Sequence, residues 1–177
     1  MARQSTCRLY FDAGEPLGQY ITELMGYAAD VYNNALLTYT ATKREKDIWL
    51  NHSELLKLVA SDKLHETTNN LIVYEFFQDW WRWIEVKKIN PDKARKKQPR
   101  QRGLHRITWS RQAMSVSDNK LFLVNGREND PLVIDNWTFD VPDKVRITPR
   151  KRGYHTMVAY YFNRDSRTKG LAEIGGR

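Results

Sequence analysis

The chain has 177 residues with six Trp, nine Tyr and a formal net charge of +8. That length supports one domain or two small ones with a real core, and the charge favours anionic partners, nucleic acid before an acidic membrane surface. The single cysteine, Cys7, excludes a disulfide framework or a Cys-based zinc site within one chain. The N-terminus carries no apolar signal-like run and no stretch reaches transmembrane length, so the expectation is a soluble, cytoplasmic protein with no membrane partner.

In chain order, Arg8–Phe11 reads as a short strand. Asp12–Pro16 reads as a turn that starts a helix. From there Leu17, Tyr20, Ile21, Leu24, Ala28, Val31, Ala35 and Leu36 recur at three- and four-residue steps, which predicts a helix to about Thr40. Lys43–Asp47 is a charged surface segment. Ser53 is the expected N-cap of a short helix carrying Leu55, Leu56, Leu58, Val59 and Leu64. A third helix covers about Thr67–Lys88, with Glu75, Gln78, Asp79, Arg82 and Glu85 on one polar face. Its remaining surface, rich in Tyr74, Phe76, Phe77, Trp80, Trp81 and Trp83, reads as core against more than one element. Ile89-Asn90-Pro91 ends it.

The chain then changes character. Residues 91–103 read as an exposed basic linker, ordered only when bound. Short strands follow at 104–109, 113–117, 120–124, 132–134, 137–141, 144–147 and 155–162, with Asp118-Asn119 as a hairpin turn and Asn125-Gly126 as a further turn. The fold class is therefore α+β: about three helices inserted in, or packed on, a small antiparallel β-barrel. The divisions are a first strand (1–15), a helical lobe (16–90), the basic linker (91–103), the barrel (104–162) and a mobile tail (163–177).

Two basic clusters carry the functional expectation. The first comprises Lys87, Lys88, Lys93, Arg95, Lys96, Lys97, Arg100, Arg102, Arg106 and Arg111 against one acid, Asp92. Such a run neutralises phosphates and releases their counterions. His105 and Trp109 add flat surfaces for unpaired bases. The competing reading is a solvated linker. The second cluster is Lys144, Arg146, Arg150, Lys151 and Arg152, with Lys144 and Arg146 on one side of a strand whose Val145 and Ile147 face the core. Nucleotide-loop, zinc-protease and nucleophile-elbow motifs are missing. The scattered histidines lack metal-ligand spacing, so no catalytic residue, metal or cofactor is expected.

The order of these motifs resembles the N-terminal half of the TnpB proteins, the transposon-encoded RNA-guided nucleases related to compact type V CRISPR effectors. The resemblance is carried by Val31-Tyr32-Asn33-Asn34-Ala35-Leu36, by Tyr74–Trp83 followed by Lys87–Arg102, and by the strand passages 107–109, 114–116 and 120–123. Lys144–Ile147 and Tyr154–Phe162 complete it. It departs at Asn163–Ser166, which does not match the opening of the family's RuvC nuclease domain, and it lacks the family's Cys-based zinc ribbon. The resemblance implies a wedge-type barrel with an inserted recognition lobe that holds a structured, guide-like RNA and through it target DNA. A RuvC-type nuclease subunit on another chain would be a further partner. The alternative is a guide-free DNA-binding regulator of phage or transposon origin. Tyr32 and Asn33 are expected to hydrogen-bond within the helical lobe.

Overall fold

The computed structural model describes residues 4–149 and 153–162. The expected basic tip Arg150–Arg152 and tail Asn163–Arg177 lie outside the described residues. The architecture is α+β. Strand β1 (Gln4–Asp12) leads into α1 (Pro16–Lys46), α2 (His52–Val59), α3 (Glu66–Ile89) and α4 (Pro91–Lys97). Strands β2 (Ile107–Ser110), β3 (Met114–Ser117), β4 (Lys120–Leu123), β5 (Leu132–Ile134), β6 (Lys144–Pro149) and β7 (Tyr154–Phe162) follow.

The strands form a four-stranded sheet in the order β1-β7-β6-β2 and a three-stranded sheet in the order β3-β4-β5. β1 pairs antiparallel with the last strand, β7, so the helices are inserted between two neighbouring strands of one sheet. Among the described residues no ladder closes the strands into a barrel; the 3-10 turn Arg111–Ala113 breaks the chain between β2 and β3 and separates the two sheets. Asp118 and Asn119 both take left-handed backbone, φ 50° and 55°, as a two-residue hairpin turn requires. The strand expected at 137–141 does not form. Asn136 is left-handed at φ 57°. The Asp140 carbonyl accepts from the Trp137 indole at 3.3 Å and the Tyr161 hydroxyl at 3.2 Å, so side chains satisfy it in place of a ladder.

Helix α1 starts with Pro16 at its first turn, where a missing N–H costs nothing, and buries Ile21, Leu24, Ala28, Val31, Tyr32 and Ala35. It runs through the charged segment to Lys46 because Asp47 supplies a left-handed C-cap. Helix α2 is capped by Asn51, not Ser53, in a reciprocal box with Glu54, and it stops at Val59 before Leu64. Gly18 and Gly126 mark close approaches: a Cβ would sit 1.8 Å from the Asp12 carbonyl oxygen or 1.7 Å from that of Asp62.

One continuous core joins the inward residues of both sheets to α1, α2 and α3. The aromatic surface of α3 is only partly spent on it. Phe76 is buried, whereas Tyr74 and Trp81 remain about half exposed and rim an apolar groove of about 910 Å³ with Trp49 and Phe77. Helix α3 also covers the edge of β2, where the Thr68 hydroxyl donates to the Thr108 carbonyl at 3.1 Å.

Candidate nucleic-acid interface

The segment expected to be a loop is built. Asn90 caps α4 by accepting from the Lys93 N–H at 3.0 Å, Pro91 fills the first turn, and Ala94 is buried. Beyond the helix Pro99 is buried. Asn33 then grips the chain as a strand partner would: its Nδ2 donates to the Arg102 carbonyl and its Oδ1 accepts from the Arg102 N–H, both at 2.8 Å. The expected loop thus contains a helix, and the chain after it is tied to α1.

Two acids one turn apart on α3 organise the arginines that follow. Asp79 accepts from the Arg102 guanidinium at 2.6 Å and from the Tyr32 hydroxyl at 2.9 Å. The same guanidinium lies 4.0 Å from the centre of the Tyr32 ring. Burial raises the Tyr32 phenol well above the usual range; the Arg102 charge opposes that rise and Asp79 adds to it. Glu75, nearly buried, takes the Arg106 guanidinium at 2.9 Å, with Arg146 at 3.8 Å and His105 Nε2 at 3.5 Å. His105 itself is enclosed. Burial holds its imidazole below the ordinary range, helped by the Arg102 and Arg106 charges, against the upward pull of its bond to the Arg106 carbonyl and of Glu75. Arg111 pairs with Asp143 at 3.0 Å.

Two expected stacking residues are thereby corrected. Trp109 is 0 % exposed, its indole donating to Asn125 Oδ1 at 3.3 Å, and His105 is 1 % exposed beside the Tyr32 ring. Neither can meet a base, because β2 turns its odd-numbered side inward with Ile107 and the Leu104–Arg106 passage crosses over α1.

The other cations behave differently. Lys87, Lys88, Lys93, Arg95, Lys96 and Arg100 are exposed on the end of α3, on α4 and just beyond. None has a carboxylate partner among the described residues; Lys87 rests over the Trp83 ring and Arg100 donates to the Arg95 carbonyl. The side chain of Lys97, like Arg150, Lys151 and Arg152, lies outside the described set. Lys144 also forms no ion pair there, although the Glu75 carboxylate acts on it. Its ammonium sits 4.6 Å from the Tyr160 ring centre, and its pKa is pulled down by partial burial first and by Arg146 and Arg106 second.

The strand alternation expected for β6 holds. Val145 and Ile147 are buried, and Lys144 and Arg146 share the other face. Sequence reasoning missed what shares that face: Arg8 and Tyr10 from β1, and Tyr154, Tyr160 and Phe162 from β7. The available signal was the two-residue period of β7 once its core-facing residues were fixed. Among the described residues no group of three His, Cys, Asp or Glu side chains is placed to hold a metal ion, and no helix is long and apolar enough to cross a membrane. No protein-family model matches the chain, and no curated protein matches it.

Proposed function

We propose that the chain is a non-catalytic nucleic-acid-binding protein whose ligand is a structured, guide-like RNA, held by its phosphates. The observation that carries this reading is the block of exposed cations from Lys87 to Arg100, which have no carboxylate partner among the described residues. A solvated linker would not be capped at Asn90, buried at Ala94 and clamped at Asn33; this block is presented in a fixed geometry. Unpaired cations carried on a folded backbone neutralise phosphates at a lower ordering cost than those of a disordered linker.

The insertion of the helices between β1 and β7 agrees with the arrangement that the TnpB resemblance implies, with the sheets as wedge and the helices as recognition lobe. On that reading the chain works in the cytoplasm, either beside a RuvC-type nuclease subunit or as a regulator that occupies DNA through its RNA without cutting it.

Purification from a native host, with and without RNase, tests the proposal. One discrete structured RNA in the sequenced co-purified fraction is the expected result. Nuclease-cleared protein that still shifts a specific DNA duplex would replace it with the guide-free regulator. Cleavage by the lone chain that requires a divalent cation would replace it with an enzyme.

A further inference from the structure

The outer face of the four-stranded sheet is exposed along β1 and at the two ends of β7, while α3 covers its β2 side. Its aromatics lie at both ends of β7. Tyr160 and Phe162, two residues apart and on one side, stack at 6.3 Å between centres and 15° between planes. At the other end Tyr154 is 49 % exposed, and Tyr10, 61 % exposed, stands on the neighbouring strand opposite Thr156. Between the two aromatic groups the register places Arg8, Val158 and Arg146 in one row across β1, β7 and β6. Lys144 sits beside Tyr160 in the next row and lies over both rings of the stacked pair. Among the described residues, the strands of this face carry one acid at a register position, Asp12 at its far corner, and Glu75 of α3 reaches Arg146 at 3.8 Å. Six residue steps along β7 separate Tyr154 from Tyr160, a span of about 20 Å at about 3.3 Å per residue.

From this placement the geometry points to a binding platform for unpaired RNA: bases stack on the exposed rings at either end of β7, and the phosphates between them cross the Arg8–Arg146 row. Every base offers a flat face to an aromatic ring, and Arg8 and Lys144, which make no ion pair among the described residues, complement the strand's charge. Hydroxyls of Tyr10, Tyr154, Thr6 and Thr148 stand on the same face and match the 2′-hydroxyl, which distinguishes RNA from DNA. The inference rests on the proposed RNA-binding function and gives it a second contact: the Lys87–Arg100 block takes the structured part of the RNA, and the sheet takes an unpaired segment.

The test uses the full chain with three labelled probes: an oligocytidylate RNA of about 12 nucleotides, its DNA counterpart, and a blunt RNA duplex. Binding is followed by fluorescence anisotropy, and folding of each variant by circular dichroism. Phe162→Ala and Tyr10→Ala change exposed side chains and are expected to weaken single-stranded RNA binding by about 5- to 150-fold each, the range for loss of one stacked base. Tyr160→Phe, which keeps the ring in place, should retain it. Duplex binding should be unchanged in all three. Equal affinity for single-stranded RNA in wild type and both alanine variants would overturn the platform, as would a wild type that binds the duplex alone. A DNA probe bound as tightly as the RNA would overturn the assignment to RNA. Failure of every nucleic acid to bind would overturn the proposed function itself, and saturable capture of a protein by this face would assign it to a different ligand.

Discussion

Residues 87–100 and residues 102–111 look alike in the sequence, two adjoining stretches rich in Lys and Arg, yet they meet opposite fates in the fold. In the second stretch nearly every functional group is spent internally. Arg102 goes to Asp79, Arg106 to Glu75 and Arg111 to Asp143, while His105 and Trp109 are buried. In the first, the cations stand in solvent without carboxylate partners among the described residues. The difference arises from α3, whose Asp79 and Glu75 pair with Arg102 and Arg106 and with no described cation of α4. A charge run therefore has no functional meaning until its counter-charges are located.

Changes in the second stretch should cost stability, and changes in the first should cost affinity. The largest stability effect belongs to Trp109→Ala, which empties a fully buried site and removes the donor to Asn125 Oδ1; we expect a loss of about 3–5 kcal/mol in urea unfolding. RNA binding by whatever fraction remains folded should be unaltered, and a selective loss of binding would restore Trp109 as a stacking residue. Next is Glu75→Gln, which leaves Arg106 and Arg146 without their charged acceptor. Because both guanidiniums are partly exposed, the expected cost is about 2 kcal/mol, with RNA affinity equal or slightly higher as a cation is released. A weaker complex would mean that Glu75 holds Arg146 where it meets the RNA on the sheet.

Asn33→Ala removes both bonds that clamp Arg102 and should cost about 1–2 kcal/mol. Amide exchange should rise at residues 99–103 and stay unchanged in α1. The smallest effect is the pH dependence of His105 and His155. Burial lowers both below the free value of 6.5. Between the folded and unfolded pKa values the unfolded chain binds more protons, so the stabilisation is complete above pH 6.5 and declines as the pH falls below it. The slope is at most about 1.4 kcal/mol per pH unit for each proton. His105→Gln should remove its share and leave that of His155; an unchanged acid limb would contradict the burial of His105.

Much of this was legible in the sequence. The apolar steps of α1 and α3, the Asp118-Asn119 hairpin and the two faces of β6 follow from local periodicity and turn chemistry. Helix α4 was legible too, since Asn90-Pro91-Asp92 is a cap, a first-turn proline and a first-turn acid, but the lysines and arginines after it obscured the signal. The rest depends on distant residues meeting. Glu75 meets Arg106 across 31 positions and Asn33 meets Arg102 across 69, separations at which local pattern carries no information. The exposed aromatics of the sheet were hidden for a related reason: only the pairing of β1 with β7 sets Tyr10 beside the outward side chains of the last strand.

The most direct test of the central claim is the salt dependence of RNA binding. The comparison is between wild type, a variant with Lys87, Lys88, Lys93, Arg95 and Lys96 changed to Gln, and a variant with Arg102, Arg106 and Arg111 changed to Gln. For the first variant we expect an unfolding midpoint close to wild type, a large loss of affinity at low salt, and a log K against log salt slope flatter by about 0.7–0.9 for each phosphate that is no longer neutralised. For the second we expect lower stability and an unchanged slope in its folded fraction. A slope unchanged in the first variant and flattened in the second would contradict the account.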